Sequence, residues 1–196
     1  MKYCFHFLLI FFIFLTACST NVQNEEVDLK ISDVKLTQLE QGMMNLVGDN
    51  SIIFEMQVKN DAANEIELTV DHYENGELQG TEMYFTASLH DMDDSNPIHI
   101  IIANRGINDQ HQWIGSVIAE DSSASFQTDL TAIPVHSAST FVPIDTPFSV
   151  QLNEKKLIST LILSKDGPIH ANIKSEQDLE EVHQHDHVYV FYALVK

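Results

Sequence analysis

Apolar and polar residues alternate along most of this chain, and this period of two constrains its fold more than any other feature. Val27, Leu29 and Ile31 alternate with polar residues, and the same pattern recurs at 51–59 and 66–71. Successive side chains of a β-strand point to opposite faces of a sheet, so the alternation predicts strands that are buried on one face. Further strands are predicted at 98–103, 113–119, 148–152, 157–163 and 188–195.

The most specific local signal is a turn. Asn75-Gly76 joins two alternating segments, and this pair favours a type I′ turn because both central residues must accept positive φ. We therefore expect a β-hairpin from about Glu65 to Leu89. The segments 157–163 and 188–195 are apolar on both faces, which predicts strands at the centre of a covered sheet.

Helical patterns are scarce. Ser175-Glu176-Gln177-Asp178 matches a capping box and predicts one short helix with Ser175 as its N-cap. Many short strands separated by turn residues predict an all-β fold, an antiparallel β-sandwich with at most one short helix. An immunoglobulin-like topology is compatible with this pattern, although the chain lacks the Cys…Trp…Cys framework of antibody domains.

The first seventeen residues differ in character from the rest. Lys2 is followed by an uncharged, mostly apolar run from Phe5 to Ala17. A basic start, a short apolar core and a small residue at its end are typical of a secretory signal peptide. The run is too short for a membrane-spanning helix, which needs about 20 residues.

The end of this run, Leu15-Thr16-Ala17-Cys18, resembles the lipobox of bacterial lipoproteins, in which an aliphatic and two small residues precede a cysteine. The resemblance covers only the leader. It implies cleavage between Ala17 and Cys18, lipid on the Cys18 thiol, frequent acylation of its new amino group, and an extracytoplasmic, membrane-attached protein. Two acyl chains suffice for stable anchoring. The alternatives are an ordinary cleaved signal peptide and an uncleaved anchor.

These observations divide the chain into three parts. Residues 1–17 are the predicted signal peptide, residues 18–26 the lipidated cysteine with a polar tether, and residues 27–196 a single β-sandwich domain. Cys4 and Cys18 are the only cysteines, so this domain has neither a disulfide nor a cysteine nucleophile nor a thiolate metal site.

The charge of the chain also narrows its function. It has 29 acidic and 10 basic residues and a formal net charge of −19, and loss of Lys2 with the leader makes the charge one unit more negative. Nucleic acids and anionic lipid headgroups require basic residues for binding. We therefore exclude nucleic acid as a partner and expect the lipid chains to hold the protein on the membrane.

The histidine run at 182–188, Val-His-Gln-His-Asp-His-Val, is the main candidate for chemistry in the domain. In an extended strand His183, His185 and His187 share one face, about 6.6 Å apart from one to the next. Neutral imidazoles in this arrangement can ligate Zn²⁺ or Cu²⁺, and His170 is a candidate for a further ligand. The alternative is a solvated, polar start of the last strand.

Other motifs give weaker signals. The acidic segment 91–96 suggests a Ca²⁺ loop, but Asn96 and Ile102 occupy the positions where an EF-hand has Gly and Glu. The chain also contains no Gly-x-Ser-x-Gly or His-Glu-x-x-His motif. We therefore predict a lipid-anchored extracytoplasmic protein that acts by binding an unknown ligand or protein partner, without catalysis. A Zn- or Cu-binding lipoprotein that uses the histidine run is the alternative.

Overall fold

The computed structural model describes residues 28–47, 50–60, 62–89 and 96–196. The predicted signal peptide, the cleavage and lipidation residues Ala17 and Cys18, and the tether that follows them lie outside the described residues. The same holds for residues 91–95 of the acidic segment. None of the helices in the described ranges is long and apolar enough to cross a membrane.

The described part of the chain contains twelve strands and two short α-helices. The helices are α1 (Gln38–Val47) and α2 (Leu179–Val182), and a 3₁₀ turn (Glu176–Asp178) leads into α2. The strands are β1 (Leu29–Asp33), β2 (Asn50–Val58), β3 (Glu65–Glu74), β4 (Glu77–Ser88), β5 (Ile98–Ile107), β6 (Gln110–Ile118), β7 (Ser123–Gln127), β8 (Thr131–Ala132), β9 (Ala138–Pro143), β10 (Phe148–Val150), β11 (Lys155–Ser164) and β12 (His187–Val195).

The strands form two antiparallel sheets that pack face to face. Sheet 1 has the order β10-β1-β2-β5-β6-β7, with β8 also paired to β6, and sheet 2 has the order β4-β3-β12-β11-β9. Met56 and Ile100 of sheet 1 and Leu68 and Phe191 of sheet 2 are fully buried in one shared core. The predicted all-β sandwich is therefore confirmed.

The predicted hairpin is also confirmed. β3 and β4 pair from Glu65 with Ser88 to Glu74 with Glu77. The two residues between the strands have positive φ, 50° at Asn75 and 87° at Gly76. Asparagine and glycine accept this conformation more readily than other residues, which explains why this pair forms the turn.

The two strands predicted to be central and covered, β11 and β12, lie inside sheet 2. Their inner face belongs to the shared core. Their outer face, which includes Val188 and Val190, packs against Ile173, Leu179 and Val182 from the segment around α2. Apolar residues on both faces of these strands are therefore buried, as their sequences predict.

The structure adds elements that the alternation does not reveal. Helix α1 begins after Thr37, whose backbone N–H and hydroxyl both donate to Glu40 Oε2, at 2.7 and 2.8 Å. This Thr-x-x-Glu pair is a capping box. Strands β7, β8 and β9 are also additions, and most of their side chains are exposed or only partly buried. Strands of this kind carry little apolar periodicity.

Candidate functional site

The histidine run does not form one strand face. Helix α2 ends at Val182, and the backbone N–H of His185 donates to Val182 O at 3.1 Å in the turn that follows. Strand β12 begins only at His187. The helical segment that follows Ser175 therefore reaches the start of the run, and residues 183–186 do not have the extended conformation that a metal site on one strand face requires.

His183 and His187 lie on opposite faces of sheet 2. The His183 ring stacks on Tyr73 with a centroid distance of 3.9 Å, and Tyr73 packs in the outer cluster. His187 shares the inner face with Tyr189 because alternate residues of a strand point the same way. One ion therefore cannot bind both rings. His170 is exposed, and Asp186 Oδ2 accepts a hydrogen bond from the Lys165 backbone N–H at 2.7 Å.

Within the described ranges, no three His, Cys, Asp or Glu side chains converge on a point that would hold a metal ion. His187 nevertheless contacts another histidine. Its Nδ1 lies 3.2 Å from Nε2 of His72 on β3. The second nitrogen of the His72 ring, Nδ1, lies 3.2 Å from Glu82 Oε1 on β4. A chain of polar contacts thus crosses three neighbouring strands of sheet 2 on its inner face.

Sheet 1 contributes to the same arrangement. Trp113 Nε1 donates a hydrogen bond of 3.0 Å to Glu82 Oε2, and His111 Nε2 lies 3.8 Å from the same oxygen. His111 Nδ1 lies 2.9 Å from the side-chain amide nitrogen of Asn104. We call His72, Glu82, His111 and His187 the histidine–glutamate cluster. It lies between the two sheets and includes residues of both.

A β-bulge directs Glu82 into this cluster. Val70 pairs with Met83 and Asp71 pairs with Thr81, so Glu82 has no partner on β3. A bulge of this kind places one extra residue in a strand and redirects its side chain. Glu82 and the buried core residue Met83 consequently both contact the interior, although they are adjacent in sequence.

Burial and charge shift the pKa values of the cluster. Burial would raise the pKa of Glu82, but hydrogen bonds from His72 and Trp113 hold it below its ordinary value, and His72 and His111 add to this when their rings are protonated. Burial lowers the pKa of His111 and of His187. The carboxylate form of Glu82 and the neutral forms of these two histidines are therefore favoured in the folded protein.

Two buried polar atoms here have no hydrogen-bond partner among the described residues: Nε2 of His111 in the cluster and Oη of Tyr189 beside it. The Tyr189 ring stacks on His72 at 4.5 Å between centroids and contacts the edge of Trp113 and His111. Burial raises the pKa of Tyr189 well above its ordinary value. These aromatic contacts fix the rings of the cluster in position.

The sequence contains a signal for this cluster that is separate from the run of three histidines: two histidines occupy positions in the apolar series of a strand. His72 continues the inward-facing series Ile66, Leu68 and Val70, and His187 begins the series of Tyr189 and Phe191. A histidine in register with the buried face of a strand is expected to be inside. The pairing of His72 with a residue 115 positions away depends on the sheet order, which the sequence does not show.

A second candidate site lies on the outer face of sheet 1, beneath α1. Ile53, Ile101 and Ile118 form its floor, and Met43 and Met44 of α1 lie beside them. The groove has a volume of about 300 Å³. We call it the α1 groove. Its remaining lining residues are Val34, Leu36, Glu40 and His99.

Helix α1 also exposes apolar side chains next to the α1 groove. Leu39 is 74% exposed, Met43 58% and Leu46 88%. Residues four and three positions apart lie on the same side of a helix, so these three form one stripe. Of the α1 residues, Met44 is buried. A helix in a soluble domain ordinarily turns its apolar stripe toward the core, so this exposed stripe is a candidate contact surface.

A family model described as the YgaN domain matches residues 30–195 of the chain. The match spans the strands from β1 to β12, the histidine–glutamate cluster and the α1 groove. No curated protein and no solved structure matches the chain.

Proposed function

The chain belongs to the YgaN domain family, and we propose that it is a lipid-anchored extracytoplasmic binding protein without catalytic activity. In this proposal the α1 groove holds an apolar segment of a partner protein. The observation that carries the proposal is the exposed stripe of Leu39, Met43 and Leu46 along one edge of an apolar groove. Such surfaces are typical of protein interaction sites.

The composition of the groove favours an adaptable apolar ligand. Met43 and Met44 both line it, and methionine side chains are flexible enough to fit partners of different shape. Glu40 and His99 are the polar side chains among its lining residues. A few polar groups at the edge of an apolar groove orient a bound segment, while apolar contacts provide most of the binding energy.

A partner protein fits this surface better than the lipid bilayer does. Helices that lie in a membrane interface are usually rich in Lys and Arg on their polar face. Helix α1 has Glu40 and no basic residue, and the whole chain has a net charge of −19. Anionic headgroups would repel such a surface. The stripe therefore suits an apolar protein segment whose surroundings are neutral or basic.

The predicted anchor places this surface close to the membrane. Ten residues separate Cys18 from β1 at Leu29, and a chain of that length spans at most about 35 Å. Helix α1 follows β1 after four residues. If Cys18 carries lipid, the α1 groove can meet only partners that are in the membrane or near its surface.

The binding of a neutral apolar fluorophore, N-phenyl-1-naphthylamine, tests whether the groove accepts apolar molecules. The purified chain should bind it saturably, and Met43→Glu should weaken binding at least tenfold because it places a charge in the groove. Val135→Glu is the matched control, since Val135 is 80% exposed and does not line the groove. Equal binding by the two variants would argue against the groove as the site.

A further inference from the structure

We propose that His72 and His187 form a binding site for a divalent transition-metal ion, Zn²⁺ or Cu²⁺, inside the end of the sandwich. The inference is independent of the proposed function, because these residues lie on the inner face of sheet 2 and the α1 groove lies on the outer face of sheet 1. It also differs from a site built on the histidine run, of which only His187 takes part.

The separation of the two ring nitrogens fits two ligands of one ion. His72 Nε2 and His187 Nδ1 are 3.2 Å apart. Two nitrogens that each lie 2.0–2.1 Å from a tetrahedral Zn²⁺ are about 3.3 Å apart. In the bound state the proton of His187 is on Nε2, and the two rings turn so that the lone pairs of His72 Nε2 and His187 Nδ1 meet at the ion.

Glu82 prepares His72 to act as a ligand. The Nδ1 atom of His72 lies 3.2 Å from Glu82 Oε1, so an N–H at Nδ1 donates to the carboxylate and Nε2 keeps its lone pair. Histidines that bind metals almost always donate their other ring N–H to a carboxylate, a carbonyl or water. Glu82 is itself held by a hydrogen bond from Trp113, so the carboxylate that accepts from His72 keeps its position.

Charge and access also suit a cation. Glu74 pairs with His187 across β3 and β12 and shares its face. The carboxylates of Glu74 and Asp186 act on the His187 ring, and the charges of His72 and Lys165 act against them. The His72 side chain is 14% exposed, so an ion can reach it from solvent. No third ligand from the described residues converges on this point, so water fills the remaining positions around the ion.

Zinc titration of the full chain against a chromophoric chelator tests the proposal. The chain carries Cys4→Ser and Cys18→Ser so that no thiol competes, and mild detergent keeps the leader in solution. We expect one Zn²⁺ per chain. His72→Gln and His187→Gln should each lower the affinity at least tenfold, whereas His185→Gln, from the same histidine run, should leave it unchanged. Glu82→Gln should lower it by about 10–100-fold, as for other carboxylates behind a ligand.

Nitrogen-15 spectra of histidine-labelled protein with the native histidines provide a second readout that does not depend on how the variants fold. Added Zn²⁺ should shift His72 Nε2 and His187 Nδ1 and leave His136 and His185 unchanged. The proposal is overturned if no saturable binding occurs, if the shifts fall on other histidines, or if His185→Gln removes binding while His72→Gln does not.

Discussion

Trp113 Nε1 donates a hydrogen bond of 3.0 Å to Glu82 Oε2, and this bond connects the two sheets of the sandwich. Trp113 lies on β6 of sheet 1, and Glu82 is the extra residue of a bulge on β4 of sheet 2. Both side chains are largely shielded from water. A hydrogen bond to a charged group in such a setting is stronger than one between neutral groups.

Glu82→Leu should lower the free energy of unfolding by about 1–3 kcal/mol, because it leaves the buried N–H of Trp113 without an acceptor. Urea unfolding measures this loss. Glu77→Leu on the same strand is the control, since the Glu77 side chain is exposed and its replacement should change stability by less than about 0.5 kcal/mol. Equal losses of unfolding free energy in both variants would mean that the hydrogen bond between Trp113 and Glu82 does not stabilise the fold.

Much of the fold is predictable from the sequence, and the reason is physical. Strands such as β2 and β3 bury one face in the shared core and carry mostly polar residues on the other, so their apolar residues alternate. The turn at Asn75 and Gly76 requires positive φ, which few residue types accept. Helix α1 has helical signals of its own in the sequence, the capping box of Thr37 and Glu40 and the spacing of Leu39, Met43 and Leu46, which the alternation of strand residues does not reveal.

The candidate sites are less predictable than the fold. His72 meets His187 because β3 and β12 are neighbours in sheet 2, and strand order is not encoded in the local pattern of either strand. Glu82 points inward only because a bulge shifts the alternation of β4. The histidine run does not form one strand face for a different reason: the capping box of Ser175 and Asp178 starts a helical segment before it, and the turn after that segment continues to His185.

Two glycines should respond to alanine in opposite directions. A Cβ at Gly115 would collide with the ring of Phe126, which stacks on Phe85 at 4.3 Å, so Gly115→Ala should cost about 1–3 kcal/mol. A Cβ at Gly42 in α1 would meet no atom within 4 Å, and Gly42→Ala should add about 0.5–1 kcal/mol. Urea unfolding of both variants measures the change in the free energy of unfolding. A change in the same direction for both variants would contradict this packing.

Stability should fall as the solution becomes acidic, in part because of His111. Burial lowers the pKa of His111. Of the two charged groups that face it, Glu82 raises this pKa and His72 lowers it. The unfolded chain takes up a proton below about pH 6.5 that the folded protein does not. The free energy of unfolding therefore decreases as pH falls through that region, by at most about 1.4 kcal/mol per pH unit for one proton.

The test of this pH dependence compares chemical unfolding of the parent, His111→Gln and His136→Gln between pH 7.5 and 5.5. His111→Gln should flatten the profile, whereas His136→Gln should not, since His136 is exposed. An unchanged slope in His111→Gln would show that this ring is protonated equally in the folded and unfolded states.

Replacement of the predicted lipidated cysteine should abolish anchoring. Cys18→Ser removes the thiol that accepts the lipid, so the chain should accumulate as unprocessed precursor or be released from the cell. Fractionation and mass spectrometry of the cell-associated protein measure both outcomes, and Ser19→Ala is a neighbouring control that should be processed normally. Membrane-bound Cys18→Ser protein of the mature size would contradict the resemblance to a lipobox.

The measurement that tests the proposed function most directly is photo-crosslinking in intact cells, with benzoylphenylalanine at position 43 in α1 and at position 135 as a matched exposed control. We predict an adduct with another protein from position 43, mapped to an apolar segment of that protein, and none from position 135. Leu46→Glu in the same chain should remove the adduct. Equal adducts from both positions, a crosslink only to lipid or to a second copy of this chain, or no adduct at position 43 would contradict the account.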